Sequence, residues 1–256
     1  MKLSLPKIFE KDIKCEMFDP IEIKKLIKTF LTFLVMVLVI SVLCAESDTN
    51  TAYKQRRHVL LCGEWSYLAE GGGATITCYN GKSEVVRIPS ELDKLKVKKI
   101  SGSSFIGLSH LTEISIPNSV SEIGGATFMG CTNLLKVKLP DGLKALENDN
   151  FHNCVNLEVV NIPQDVSIIG AQVFYNCKSL RSISIPKGVK SIQTSAFFNC
   201  TQLTNVVLTP GLEVFGHNAF AGCRNLTAIN IPDSVQVVED NAFEGCAKLS
   251  KETLKK

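Results

Sequence analysis

The chain has 256 residues, 45% of them hydrophobic and 21% charged, with a formal net charge of +3. That is enough apolar material for one domain beside a membrane-directed segment. Residues 1–45 carry seven Lys against five acids, which leaves 21 basic and 20 acidic residues in the body; so nearly neutral a body argues against a nucleic-acid partner, which needs a clustered basic face.

Residues 1–28 are charged, contain Pro6 and Pro20, and are expected to be a poorly ordered leader. Residues 29–45 hold no charge; Lys24, Lys25 and Lys28 precede them, and Glu46 and Asp48 follow. Positive charge ahead of an apolar stretch places the N-terminus in the cytoplasm and sends the rest across the membrane. Two fates stand open: a secretory signal cleaved after Cys44 or Ala45, or a retained anchor at the short end of the range for a spanning helix. A translation start at Met17 in place of Met1 would leave a signal peptide of 29 residues. Residues 46–60 are polar and form the expected linker.

Residues 61–82 are expected to be a β-hairpin, with Glu64–Ala69 and Ala74–Tyr79 flanking Glu70-Gly-Gly-Gly73. The glycine run lacks the Lys-Ser/Thr of a phosphate loop and is a turn. With Trp65 and Tyr67, this hairpin is the natural cap for the remainder of the chain.

From residue 83 onward the chain repeats. Phenylalanine stands at 105, 128, 151, 174, 197, 220 and 243, always 23 residues apart. Cysteine follows three residues later at 131, 154, 177, 200, 223 and 246, with Leu108 in that slot of the first copy. Leucine follows three further on, from Leu111 to Leu249. A fixed period of this size marks a solenoid of about seven coils over 83–256. Within a unit, Ile114 and Ile116 flank Ser115 with the period of a half-buried strand, and Pro117 should end it. Gly142, Gly188 and Gly211 supply corners. The Ala-Phe-x-x-Cys stretch suits a single helical turn opposite the strand. Thr209 replaces the proline in the fifth copy, with Pro210 one place late, which predicts a local distortion. Pro89 and Pro117 are 28 residues apart, so the first coil holds five extra residues near Glu91–Leu95, expected as a surface bulge.

The combination Leu-x-x-Ile-x-Ile-Pro with a following Ala-Phe-x-x-Cys resembles the BspA-like class of leucine-rich repeats over about residues 74–250. The usual Asn ladder of other leucine-rich repeats is missing from the slot near Ser119, Gly142, Asp165, Gly188, Gly211 and Ser234. The resemblance implies a right-handed solenoid, mostly β with short helical turns, parallel strands on one face and a hairpin cap at its N-terminal end. It also implies a surface or secreted protein that binds other proteins or mediates adhesion, without chemistry of its own.

Six of the ten cysteines stand in one column, where stacked parallel Cβ vectors seldom give a disulfide torsion, so they are expected as reduced core residues. Cys62 and Cys78 lie outside the column and are the one plausible bridge, left open here. The histidines at 58, 110, 152 and 217 form no metal or triad motif, and no metal, cofactor or catalytic residue is assigned. Asn199-Cys-Thr201 and Asn225-Leu-Thr227 match glycosylation sequons, but their middle residues belong to core columns.

Surface is what remains. Outward strand positions form two columns, Ser115, Lys138, Asn161, Ser184, Val207 and Asn230 beside Glu113, Lys136, Val159, Ser182, Asn205 and Ala228. The candidate binding face comprises Glu113, Ser115, Lys136, Lys138, Asn161, Ser182, Ser184, Asn205 and Asn230, with the more charged N-terminal half favoured. The expected protein is an exported, monomeric module for a protein or extracellular-matrix ligand. The alternative is a membrane-tethered spacer with no ligand.

Overall fold

Stacked 23-residue coils make up the array in a computed structural model that describes residues 58–250. The leader expected at 1–28, the uncharged stretch 29–45 and linker residues 46–57 lie outside the described residues. Among the described residues no helix is long and apolar enough to cross a membrane.

Three antiparallel strands open the described chain: β1 (Leu60–Cys62), β2 (Trp65–Glu70) and β3 (Gly73–Tyr79). Gly71 (φ +56°) and Gly72 (φ +67°) form the two-residue turn between β2 and β3, where both positions need the left-handed region. The first coil contributes β4 (Val85–Arg87), β5 (Glu91–Leu92) and β6 (Leu95–Ile100). Its extra residues are an ordered second hairpin, β5 against β6, turned by Asp93 (φ +47°) and Lys94 (φ +67°). Parallel pairing of β3 with β6 joins the cap to the array.

Each later coil adds two short strands: β7 (Glu113–Ser115) and β8 (Glu122–Ile123), β9 (Lys136–Lys138) and β10 (Ala145–Leu146), β11 (Val159–Val160) and β12 (Ile168–Ile169). The series continues with β13 (Ser182–Ser184) and β14 (Ser191–Ile192), β15 (Asn205–Val207) and β16 (Val214–Phe215), β17 (Ala228–Ile229) and β18 (Val237–Val238). Pairing between coils is parallel and in repeat register, as Ser115↔Lys138 and Ser184↔Val207 show. The face expected to be the strand face carries two sheets, β4-β7-β9-β11 and β13-β15-β17.

The phenylalanine column is fully buried from Phe105 to Phe220, with neighbouring rings 4.9–5.5 Å apart along the stack to Phe243. Such stacked pairs contribute about 0.5–1.5 kcal/mol each beyond simple burial. The cap continues the column: Tyr79 stacks on Phe105 at 5.6 Å and Trp65 lies 4.7 Å from Tyr79. Tyr67, the other residue expected to cover the first coil, buries its ring and donates its hydroxyl to Asp93 in the second hairpin at 2.6 Å.

No helix forms on the Phe side, contrary to the single helical turn expected there. The segment is a pair of tight turns, closed by Met129 N–H to Ala126 O and by Cys131 N–H to Phe128 O. A left-handed residue stands on each side of the phenylalanine, Ala126 (φ +54°) and Gly130 (φ +74°) in one coil, Asp149 (+61°) and Asn153 (+60°) in the next. That conformation ends helical winding, and it frees N–H groups to donate to the following coil, as Phe128 does to Asn150 O at 2.9 Å.

At Thr209, the hydroxyl donates to Ile185 O at 3.2 Å, and the distortion expected there falls on Gly211, whose φ of +106° is open to glycine alone. Gly142 and Gly188 turn without a positive φ, so those two corners need no glycine for backbone reasons.

Candidate binding face

Alternation along β4, β7, β9 and β11 sends Val86, Ile114, Val137 and Val160 into the core and their neighbours into solvent. Parallel register then lines the outward residues into two columns, Val85–Glu113–Lys136–Val159 and Arg87–Ser115–Lys138. Asn161 follows β11 and is exposed on the same face. Together with Asp141 and Gln164 at its rim, these residues line a shallow depression of about 710 Å³.

Of the nine candidates, Glu113, Ser115, Lys136, Lys138 and Asn161 are brought together here. Ser182, Ser184 and Asn205 are exposed on β13 and β15, and Asn230 is exposed just beyond β17; these four lie outside the depression. The division follows the break in the ladder between β11 and β13. Val159, Asp141 and Gln164 line the depression without having been candidates, and so do Val85 and Arg87 of the first coil. The signal for the last two was present, because Val86-Arg-Ile-Pro89 already showed the strand pattern of the later coils.

Charge on this face is mixed. Glu113 engages Lys136 at 3.5 Å, an exposed pair of the kind that contributes about 1 kcal/mol or less. Asp141 accepts from Asn118 Nδ2 at 2.8 Å. Arg87 and Lys138 have no carboxylate partner among the described residues. Val85 and Val159 are 48% and 46% exposed, comparable to Val207 at 47% on the same face outside the depression.

The opposite flank holds a smaller depression of about 510 Å³ lined by Glu70, Lys99, Glu122, Lys144 and Glu147 among others. Its cations are already engaged: Lys99 binds Glu122 at 2.8 Å, and Lys144 binds Asp165 at 2.6 Å, holding that carboxyl below the usual range by a hydrogen bond and by charge.

The cysteine column is chemically quiet. Each thiol from Cys131 to Cys246 donates to the carbonyl of the phenylalanine one coil earlier, at 3.0–3.2 Å. Burial pushes Cys131 and Cys246 up to about 12 and raises Cys154 and Cys177 well above the ordinary thiol value, so the nucleophilic thiolate is withheld. Cys62 and Cys78 stand on β1 and β3, with β2 between them. Two strand spacings, about 10 Å, exceed the reach of a disulfide. The bridge that the sequence allowed does not form.

An asparagine ladder is present after all, two residues past the phenylalanine: Asn176 donates to Asn153 and Asn199 to Asn176, each at 2.8 Å. Both sequon amides are thereby engaged, Asn199 in this ladder and Asn225 on Thr201 O at 2.8 Å. His152 pairs with Asp149 at 2.9 Å and stacks on Tyr175, which stacks on Phe198, as a half-buried second column. Among the described residues, no three His, Cys, Asp or Glu side chains gather as a metal-holding group.

Comparison with known proteins places these features. The sequence model described as "BspA type Leucine rich repeat region" matches in six copies, over residues 98–227 and 167–256. A leucine-rich repeat protein of T. pallidum is 34% identical, with a TM-score of 0.72 over 77% of this chain and 94% of its own. One from Bacteroides ovatus is 29% identical, with a TM-score of 0.68 over 75% of this chain; the match spans only 52% of that protein. No curated protein matches the chain.

Proposed function

Because the chain belongs to the BspA-type leucine-rich repeat family, we propose that it is a non-catalytic binding module which engages another protein through the N-terminal half of its strand face. The observation that carries this reading is the depression over β4, β7, β9 and β11, where exposed valines sit among polar and charged side chains. A concave surface that mixes apolar, polar and charged side chains is compatible with binding another protein. Placement at the cell surface or in the medium is part of the proposal, supported by the uncharged stretch 29–45 behind three lysines. So is an adhesive role toward a protein or matrix ligand, met by a monomer of this chain. A membrane-tethered spacer is the competing reading, and it predicts no ligand at this face.

Site-specific photo-crosslinking tests the proposal. A photoreactive residue is placed in turn at Ser115 and Asn161, and on the opposite flank at Glu147 and Ser167. The reading predicts one protein adduct from the first pair alone, lost when Val159→Asp is added. Adducts of equal yield from both pairs, or from the opposite flank only, would overturn it.

A further inference from the structure

Deepening that proposal and resting on it, we infer that the depression selects an acidic, extended segment of its protein partner, recognised by Arg87 and Lys138 on either side of Ser115. Arg87 pairs in register with Ser115, and Ser115 with Lys138. The backbones of Arg87 and Lys138 are therefore two strand spacings apart, about 10 Å, with Ser115 midway between them. Neither has a carboxylate partner among the described residues. Their lateral neighbour Glu113 is held by Lys136, and Asp141 at the rim by Asn118, so the acids of the face are occupied while two of its cations are not. A carboxylate seated over Ser115 would accept from the hydroxyl and from both cations, the strong, charge-assisted kind of hydrogen bond.

The neighbouring column gives the rest of the ligand. Val85 and Val159 stand at its two ends, three strand spacings or about 14 Å apart along the stack. In an extended peptide, residues i, i+2 and i+4 share a face, and i to i+4 spans about 13 Å. A segment running along the stack thus places two apolar side chains on Val85 and Val159, with an acidic one between them. Glutamate has the length to lean across to Ser115 in the next column. A sulfated glycan offers the negative charge but no apolar groups, and no aromatic residue lines this depression to stack on sugar rings.

The test uses the full chain and fluorescein-labelled nine-residue peptides containing Val-Thr-Glu-Thr-Val, the same with Gln for Glu, and the same with Lys for Glu, read by fluorescence anisotropy, with heparin as a competing polyanion. The inference predicts that the Gln peptide binds at least about tenfold more weakly than the Glu peptide, the size of one charge-assisted contact. The R87E/K138E variant, altered only at exposed positions, should reverse the preference toward the Lys peptide, with an unchanged thermal melt. Equal binding of the Glu and Gln peptides, failure of all three to bind, or a charge-reversal effect confined to heparin would each overturn it. If adducts at Ser115 and Asn161 persist under any of these outcomes, the binding face stands and only its acidic preference falls.

Discussion

The thiol of Cys154 donates to the carbonyl oxygen of Phe128, one coil earlier, at 3.1 Å. The same oxygen also accepts the N–H of Cys131, so both of its lone pairs are used. Cysteine therefore does more in this column than fill space. It is a residue small enough for the stack that also carries a donor. The relationship predicts that the six column thiols resist a labelling reagent in the native protein, while Cys62 and Cys78 react. After unfolding without reductant, all six should count as free. Three disulfides among them would contradict the hydrogen-bond ladder.

The same burial sets a response to alkali. Cys131 and Cys246 have ordinary values of 9.0 that rise to about 12 in the fold. Between those values the unfolded chain gives up protons that the folded chain retains, so stability falls as pH rises from 9 through 12. Tyr67 acts in the same sense between 10.0 and about 12, raised first by its hydrogen bond to Asp93 and then by burial of its ring. Urea midpoints taken across this window should decline steadily, and less steeply in a C131A/C246A variant. A flat profile would contradict the buried, protonated column.

Truncating the central ring should be costly. Phe174 is fully buried and stacks on Phe151 and Phe197 at 5.4 and 5.2 Å. Phe174→Ala should destabilise by about 3–5 kcal/mol, whereas Lys187→Ala, at an exposed corner, should change stability by less than about 0.5 kcal/mol. Equal shifts in urea melts would remove the stack as the main source of stability.

At the N-terminal end, Trp65 completes the aromatic column through Tyr79 and Phe105. Trp65→Ala should raise amide hydrogen exchange in β4 and β7 before it affects β15 and β16, because coils depend on their nearest neighbours. Uniform loss of protection along the array would show that the cap is not a local cover.

The features legible in the amino-acid sequence are those whose chemistry repeats. A period of 23 residues exposes any position whose chemistry recurs, so the phenylalanine, cysteine and outward strand columns could be read directly. The helical turn was misread because its obstruction is conformational and falls on chemically unlike residues. Ser103, Ala126, Asp149, Gln172, Ser195, Asn218 and Asn241 all take a positive φ in the same slot. The asparagine ladder was sought at the corner and lies beside the phenylalanine, at Asn153, Asn176 and Asn199. On the binding face, six residues of the depression, Glu113, Ser115, Lys136, Lys138, Val159 and Asn161, were readable as outward positions. Val85 and Arg87 lie outside the 23-residue register, since the hairpin between Pro89 and Pro117 offsets the first coil by five residues, and only their local strand pattern marks them. The break between β11 and β13, which confines the depression to the N-terminal half, has no sequence mark that we can identify.

Two deletions of two periods each test the central claim most directly. Removing residues 134–179 brings Leu180 into the place of Leu134, and removing 180–225 brings Leu226 into the place of Leu180. Both keep the phenylalanine, cysteine and leucine columns in register, so both products should retain a β-rich circular dichroism spectrum at reduced stability. The first loses Lys136, Lys138, Val159 and Asn161, while the second leaves every residue of the depression in place. Measured against the protein captured at Ser115, affinity should collapse in the first deletion and stay within about twofold of the intact chain in the second, a change of under about 0.5 kcal/mol. Loss of affinity in the second, or its retention in the first, would contradict a binding face in the N-terminal half.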